Sequence, residues 1–195
     1  MDRRTLAFYE SRAAEWAAHL PHEHSPRLDP FLDRLPPGAS ILEMGCGDGR
    51  DAAWMIARGF DVHPSDGTPA MARLASERLG RNVPVMEFAK LDAVEAFDGV
   101  WCQASLLHLS EAELRPVLAR IHRALKPRGW HWASYKDGSG GGRDVGGRFF
   151  SYIPAGRLEA AYYAGGPWAE LAIGTQRGES FFRGPTMWHE VLARK

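Results

Sequence analysis

Glu43-Met44-Gly45-Cys46-Gly47-Asp48-Gly49 places three glycines on alternate positions directly behind a short apolar run, Ser40–Met44. Without a Cβ, such a segment turns sharply and lets backbone approach a ligand closely. The spacing is G-x-G-x-G. A dinucleotide fingerprint would read G-x-G-x-x-G and hold pyrophosphate on a helix N-terminus. Here a carboxylate, Glu43, stands in front of the turn. It would repel pyrophosphate and suit a cation. The competing reading is a glycine-rich turn that binds nothing.

Further carboxylates recur where later strands should end. Asp66 follows the second apolar run, where a carboxylate can accept ribose hydroxyls; it could equally just start the turn Asp66-Gly67-Thr68-Pro69. Glu87-Phe88 follows the third, where a carboxylate can accept an adenine amine and the next N–H can donate to the ring; alternatively Glu87 is a solvated surface acid. S-adenosylmethionine, with a sulfonium and an α-ammonium group, meets all these demands. A nicotinamide cofactor meets fewer.

These residues need strands to carry them. Helical spacing predicts a helix over 5–20, carrying Tyr9, Ala13, Trp16 and Leu20 and stopped by Pro21. A short segment, Phe31–Leu35, follows. Strands are predicted at 40–44, 60–65, 83–88, 97–102 and 130–135, with two more near 169–175 and 187–194. Helices are predicted at 50–58, closed by Gly59, and from Thr68 with Pro69 at its first position. A capping box at Ser110–Glu113 opens another, with Leu114, Val117, Leu118, Ile121 and Leu125 on one face and Pro116 predicting a kink or a later start. The last helix is 157–164. Residues 138–147 are glycine-dense and read as a mobile loop. Alternating strands and helices imply an α/β fold with a mostly parallel sheet. Ligands then sit beyond the carboxyl ends of the strands.

Taken in order, Ile41–Gly49, Asp66–Met71, Phe97–Trp101, Ser105–His108 and Leu125–Gly129 resemble the class I S-adenosylmethionine-dependent methyltransferase superfamily, in its small bacterial single-domain form. The resemblance implies a Rossmann-like, doubly wound sheet of seven strands in the order 3-2-1-4-5-7-6, strand seven antiparallel, with helices on both faces. It implies one domain over 1–195, with 1–38 as N-terminal helix and lid and 39–195 as core. Glu43, Gly45, Cys46 and Gly47 would hold the methionine end and the loop. Arg50 would reach the methionine carboxylate or a helix neighbour. Asp66 would hold the ribose, Gly67 and Met71 would flank the adenosine, and Glu87 and Phe88 would hold the adenine. Gln103 and Ala104 would line the sulfonium side. The chain departs from the family at His63-Pro64-Ser65, where proline predicts an irregular strand end, and at Arg128, where glycine is frequent.

The activity implied is methyl transfer to an O, N or S atom of a small molecule, yielding S-adenosylhomocysteine. His108 is the candidate general base, or it packs below the site. Tyr9 and Trp16 would line the acceptor pocket, or serve as core stripe. Lys136 and Arg148 would meet an anionic acceptor, or pair with Asp137 and Asp144. Trp188 would sit over the same side. The alternatives are a protein that binds S-adenosylmethionine for other chemistry, and a nicotinamide-dependent oxidoreductase. His19, His22 and His24 cluster without a matching carboxylate or cysteine pattern, so no metal is expected.

Composition agrees. The chain has 195 residues, 45% of them apolar, with 24 basic and 24 acidic side chains. That balance points to no nucleic-acid or anionic-membrane partner. No apolar run reaches the roughly 18–20 residues that span a bilayer, and the N-terminus does not read as a signal peptide. Two cysteines imply no disulfide framework, hence a cytoplasmic setting. A monomer or homodimer is expected.

Overall fold

β1 (Ser40–Met44) is buried on both faces, as a central parallel strand must be. It lies between β2 (Asp61–Ser65) and β3 (Phe97–Cys102), and β3 pairs with β4 (Leu125–Lys136), all in parallel. The computed structural model describes residues 1–19, 23–180 and 184–195. Beyond β4 the sheet continues antiparallel through β8 (Gly184–Arg194) to β7 (Glu170–Ser180). This reproduces the implied strand order apart from two differences.

The strand predicted at 83–88 is reduced to a single bridge, Asp66 to Val85. Pro84 has no N–H to give a ladder. What remains is Met86 N–H donating to the Asp66 carbonyl at 2.7 Å and Asp66 N–H donating to the Pro84 carbonyl at 3.4 Å. Phe88–Lys90 then forms a 3-10 turn. The second difference lies in the segment read as a mobile loop. It forms a hairpin of β5 (Gly140–Arg143) and β6 (Phe149–Tyr152), and β6 touches β4 at Lys136–Tyr152. The described residues therefore form eight strands, not seven. Gly141 makes the hairpin possible: a Cβ there would lie 2.6 Å from the Phe149 ring.

Pro64 does not disturb β2. The β1–β2 register runs unbroken from Ser40–Asp61 to Met44–Ser65. Only the Asp66–Val85 bridge borders the far side of β2, so the missing N–H is not needed there. Arg128 does adopt the left-handed conformation, φ 68°, that favours glycine.

α1 (Arg3–His19) bends at Arg12, whose φ of −124° is not helical. Leu20, Pro21 and His22 lie outside the described residues. α2 (Leu28–Leu32) begins before the segment read at 31–35. α3 (Arg50–Ala57) follows the glycine turn. α4 (Pro69–Leu79) has the Thr68 side chain accepting from Met71 N–H at 3.4 Å. α5 (Glu111–Ala124) shows the full capping box and includes Pro116, so no later start occurs; Leu125, assigned to its apolar face, instead opens β4. α6 spans Ala155–Gly165. One apolar core joins the sheet to α5 and α6 through Val100, Leu118, Ile121 and Leu158. A second covers the opposite face through Phe31, Ile41, Met55 and Trp101, with Trp101 stacked on Trp132 at 4.1 Å. Helices on both faces make the sheet doubly wound.

Candidate functional site

The turn after β1 is held from both sides. Gly45, Gly47 and Gly49 have φ of 78°, 59° and 79°. Gly45 and Cys46 N–H groups donate to the Ser65 carbonyl at 2.8 and 3.0 Å, which ties the turn to the end of β2. A Cβ on Gly45 would fall 2.6 Å from Ser105 Cβ, whereas one on Gly47 would meet nothing within 4 Å. Gly45 is thus a packing requirement, and Gly47 faces open space.

That space is a cleft with about 810 Å³ of empty volume, part of it open to solvent. Of the residues singled out for a cofactor, Glu43, Gly45, Cys46, Gly47, Arg50, Asp66, Gly67, Met71, Phe88, Gln103 and Ala104 all line it. Glu87 does not. It is exposed and borders an adjoining depression shared with Gly67 and Phe88. Loss of the 83–88 strand turns Glu87 outward.

Asp66 combines both roles considered for it. Its Oδ1 accepts from Thr68 N–H at 3.0 Å and Thr68 Oγ1 at 3.1 Å, and its Oδ2 accepts from Gly47 N–H at 3.1 Å. It starts the α4 turn and also stands on the cleft wall. The Gly67 backbone N–H bonds it as well, so four donors meet this carboxylate. Burial raises its pKa against these hydrogen bonds.

Glu43 is in sharper tension. Its side chain is buried, with 3% of the residue exposed, and among the described residues Oε2 has no hydrogen-bond partner. Burial pushes its pKa well above the carboxylate range, and Asp51, Asp48 and Asp66 push the same way against Arg50. The neighbouring acids are engaged. Asp51 accepts from Ser25 N–H and Trp101 Nε1, both at 2.9 Å, and Asp48 accepts from Arg78 Nη2 at 2.5 Å. Arg50 Nε lies 3.8 Å from Asp51. Burial also pushes the Cys46 thiol well up, which suits packing and not nucleophilic attack.

On another side the cleft is lined by α1 and His108, and the β5–β6 hairpin backs them through Arg148 and Phe149. Tyr9, Trp16 and His108 line the cleft; Lys136, Arg148 and Trp188 do not. Arg148 is buried and donates to Asp144 Oδ2 from Nε at 2.9 Å and Nη2 at 2.7 Å. Its guanidinium sits among Trp16, Phe8 and Phe150, 4.4, 4.8 and 5.1 Å from their ring centres. The remaining nitrogen, Nη1, donates to Tyr9 Oη at 3.1 Å. Lys136 is buried too, its Nζ 3.9 Å from the centre of Phe150 and 5.6 Å from that of Trp188. Asp137 pairs with His189 at 3.0 Å.

His108 is buried with both ring nitrogens used. Nδ1 lies 2.6 Å from the Phe149 carbonyl and Nε2 lies 2.9 Å from Tyr9 Oη. A carbonyl only accepts, so Nδ1 carries the proton and Nε2 accepts from Tyr9. Burial brings its pKa down to about 4, and Arg148 and Lys136 lower it against the Phe149 hydrogen bond. It is a neutral imidazole. Ala104, directly after β3, has φ 47°, a strained value for a residue with a Cβ, and its N–H donates to Ser134 Oγ at 2.9 Å.

Met1, Asp48, Asp51 and Ser105 also line the cleft and were not singled out. Asp51 adjoins Arg50 in the sequence, and Ser105 opens the Ser105–His108 stretch three residues after β3. His19 bonds the Glu15 carbonyl, and His24 stacks on Trp54 beside Asp29. Among the described residues, no three His, Cys, Asp or Glu side chains are grouped to hold a metal ion, and no helix is long and apolar enough to cross a membrane.

Residues 41–129 match a family model described as a methyltransferase domain. The ubiquinone biosynthesis O-methyltransferase of Chromobacterium violaceum is 33% identical over 119 residues, covering 56% of this chain and 50% of that protein. The chain spans between 36% and 50% of the length of the curated relatives it matches. Among solved structures, the 1,6-didemethyltoxoflavin-N1-methyltransferase of Burkholderia thailandensis, with bound 1,6-didemethyltoxoflavin and S-adenosylhomocysteine, superposes with a TM-score of 0.73. It is 22% identical and the match covers 97% of this chain and 84% of that one. The [4+2]-cyclase SpnF superposes with a TM-score of 0.69 at 17% identity, covering 97% and 94%. Both share the fold.

Proposed function

We propose, on the premise that residues 41–129 of this chain belong to the methyltransferase-domain family, that the protein binds S-adenosylmethionine at the ends of β1, β2 and β3 and transfers its methyl group to an O, N or S atom of a small molecule. The observation that carries this reading is the Glu43 Oε2 atom, buried beside a glycine turn without a partner among the described residues. A lone buried carboxylate is unstable, and a cationic ligand group relieves it. The pyrophosphate of a nicotinamide cofactor would meet Glu43, Asp48, Asp51 and Asp66 on the same wall. The residues present therefore fit S-adenosylmethionine.

In this reading Glu43, Gly45, Cys46, Gly47 and Arg50 hold the methionine end. Asp66, on the cleft wall, accepts from a ribose hydroxyl. Gly67, Met71 and Phe88 enclose the adenosine, and Gln103 and Ala104 flank the sulfonium. The bound cofactor supplies an activated methyl group, so the chain's main task is to place the nucleophile in line with it. His108, neutral and bonded on both sides, positions Tyr9 and does not act as a free base. An uncharged balance of residues suits a small-molecule acceptor, and two buried free cysteines suit a cytoplasmic setting.

Titration calorimetry tests the cofactor. S-adenosylmethionine and S-adenosylhomocysteine are expected to bind and NAD is not; binding of NAD alone would overturn the reading. The likeness to a [4+2]-cyclase favours a second reading, in which the same cofactor site serves other chemistry. Turnover of methyl-labelled S-adenosylmethionine against oxygen, nitrogen and sulfur nucleophiles separates the two. Cofactor binding with no labelled product from any class selects the second.

A further inference from the structure

The acceptor wall contains a chain of hydrogen bonds that all point one way. Arg148 Nη1 donates to Tyr9 Oη at 3.1 Å, Tyr9 Oη donates to His108 Nε2 at 2.9 Å, and His108 Nδ1 donates to the Phe149 carbonyl at 2.6 Å. Both ends are fixed. A guanidinium cannot accept a hydrogen bond and a carbonyl cannot donate one. The Tyr9 proton is thereby committed to His108. One lone pair of Oη is taken by Arg148. Tyr9 is half-buried and lines the cleft, so the remaining lone pair is what it can offer there.

Arg148 is held firmly enough to set this polarity. Asp144 takes two of its nitrogens, and the Asp144 Oδ1 atom accepts from the Gly146 and Arg148 backbone N–H groups at 3.0 and 2.9 Å. The rings of Trp16 and Phe8 in α1 and of Phe150 in β6 enclose the guanidinium. α1 is joined to the hairpin again where Phe149 N–H donates to Thr5 Oγ1 at 2.8 Å.

We infer that Arg148 is a positioning residue that fixes Tyr9 Oη as a pure hydrogen-bond acceptor toward the cleft, so that the methyl acceptor is a molecule presenting an O–H or N–H donor to Tyr9. This rests on the cofactor reading above, and names the acceptor class for it. A molecule whose only polar atoms accept hydrogen bonds finds no partner at Tyr9. Neither Arg148 nor Asp144 lines the cleft, so Arg148 acts on it through the residues it holds there, with its hydrogen bond going to Tyr9 and its packing to Trp16.

Two measurements test it. The first needs no cofactor. The ¹⁵N shifts of the His108 ring are expected to show a neutral imidazole protonated on Nδ1 at pH 7; protonation on Nε2 would reverse the chain and overturn the inference. The second uses protein saturated with S-adenosylhomocysteine, titrated with phenol and with its near-isostere fluorobenzene, which has no donor. Phenol is expected to bind about fivefold more tightly, the value of one ordinary hydrogen bond. Tyr9→Phe should bring the ratio close to one. The paired change Arg148→Met with Asp144→Asn removes both buried charges together, and should reduce the ratio at least threefold while S-adenosylhomocysteine affinity stays within about threefold. Loss of packing alone would weaken both probes equally. Equal binding of the probes to the unaltered protein, or an unchanged ratio in Tyr9→Phe, overturns the acceptor class; an unchanged ratio in the paired variant overturns the role of Arg148. Failure of S-adenosylhomocysteine to bind at all would strike the cofactor reading, and the His108 ring shifts would still judge the polarity.

Discussion

On the β1–α3 side of the cleft, four carboxylates converge and Glu43 keeps an oxygen without a partner. On the α1–hairpin side, Arg148, Asp144, Tyr9 and His108 bond to one another, and the chain of donors runs from a fixed cation to a fixed carbonyl. The first wall stores unfavourable electrostatics that a ligand can relieve. The second is electrostatically complete and supplies rigidity. Binding energy should therefore come from one side and orientation from the other. Changes on the acceptor wall should damage the fold first, and changes on the cofactor wall should damage binding first.

The largest expected effect is on the acceptor wall. Arg148→Met strands Asp144, whose carboxyl is held below its usual range because hydrogen bonds and charge from Arg148 outweigh its burial. Removing one partner of a buried pair costs about 3–5 kcal/mol. With Asp144→Asn added, most of that loss should be recovered. Denaturant unfolding of the two variants checks this; a single change no worse than the pair would show that the wall is not anchored there. A depressed carboxyl pKa contributes stability above the unfolded value and loses it as pH falls through the folded one. The difference between the single variant and the unaltered protein should therefore shrink in acid.

Next comes the glycine turn, where the comparison can be sharpened within one loop. Gly45→Ala would drive a Cβ to 2.6 Å from Ser105 Cβ at φ 78°. Overpacking costs about 1–3 kcal/mol and the left-handed backbone about 1 more. Gly47→Ala carries only the backbone cost, because its Cβ meets no atom of the described residues within 4 Å. It should nonetheless weaken S-adenosylmethionine, since that Cβ stands in open space at the turn. Melting temperature should separate the two variants, and calorimetry should group them. A Gly47→Ala protein with full affinity would remove the ligand from that turn.

The contrast between the walls also explains what could be read from the sequence. The cofactor wall is written in short stretches, Glu43–Gly49 and Asp66–Met71, whose backbone is set by local glycines and caps. Its residues are recognisable because their neighbours in sequence are their neighbours in space. The acceptor wall depends on long-range meetings. Asp144 and Arg148 lie in a stretch whose glycines suggest a loop, whereas in the hairpin Phe149 crosses Gly141, and Phe8 and Trp16 of α1 close over Arg148. No local pattern announces that. The strand at 83–88 failed for a local reason, Pro84, which apolar content outweighed in the reading. Glu87, expected beside the adenine, borders the adjoining depression with Gly67 and Phe88.

Glu43→Gln should produce a moderate effect of opposite sign on stability and on binding. Removing a buried, unpartnered charge should leave the free protein as stable or more so, while S-adenosylmethionine affinity falls about 10–100-fold through loss of a charge-assisted bond worth about 1.5–3 kcal/mol. Because burial raises the folded-state pKa of Glu43, the folded chain holds that proton more tightly than the unfolded one. Its destabilising contribution is therefore absent at low pH and grows as pH rises above the ordinary carboxylate value. The variant should flatten that part of the stability profile. A loss of stability in the free variant would mean that Glu43 is a structural anchor, and the division between the walls would fail.

The smallest expected effect is none at all, and it bears on His108. Its pKa near 4, set first by burial, puts the imidazole in one neutral state throughout pH 6–8. If the acceptor wall only orients, the rate of methyl transfer should show no inflection near 6.5, the ordinary histidine value, on profiles of kcat against pH measured with a fixed acceptor. A general base would behave otherwise. It would need Nε2 free to take a proton, yet Tyr9 Oη already donates to that atom at 2.9 Å. The resulting imidazolium would also face Arg148 and Lys136, the two cations that already depress it. An inflection near 6.5 that disappears in His108→Asn would show that Tyr9 leaves His108 during turnover, and would make the wall assigned to orientation part of the proton path.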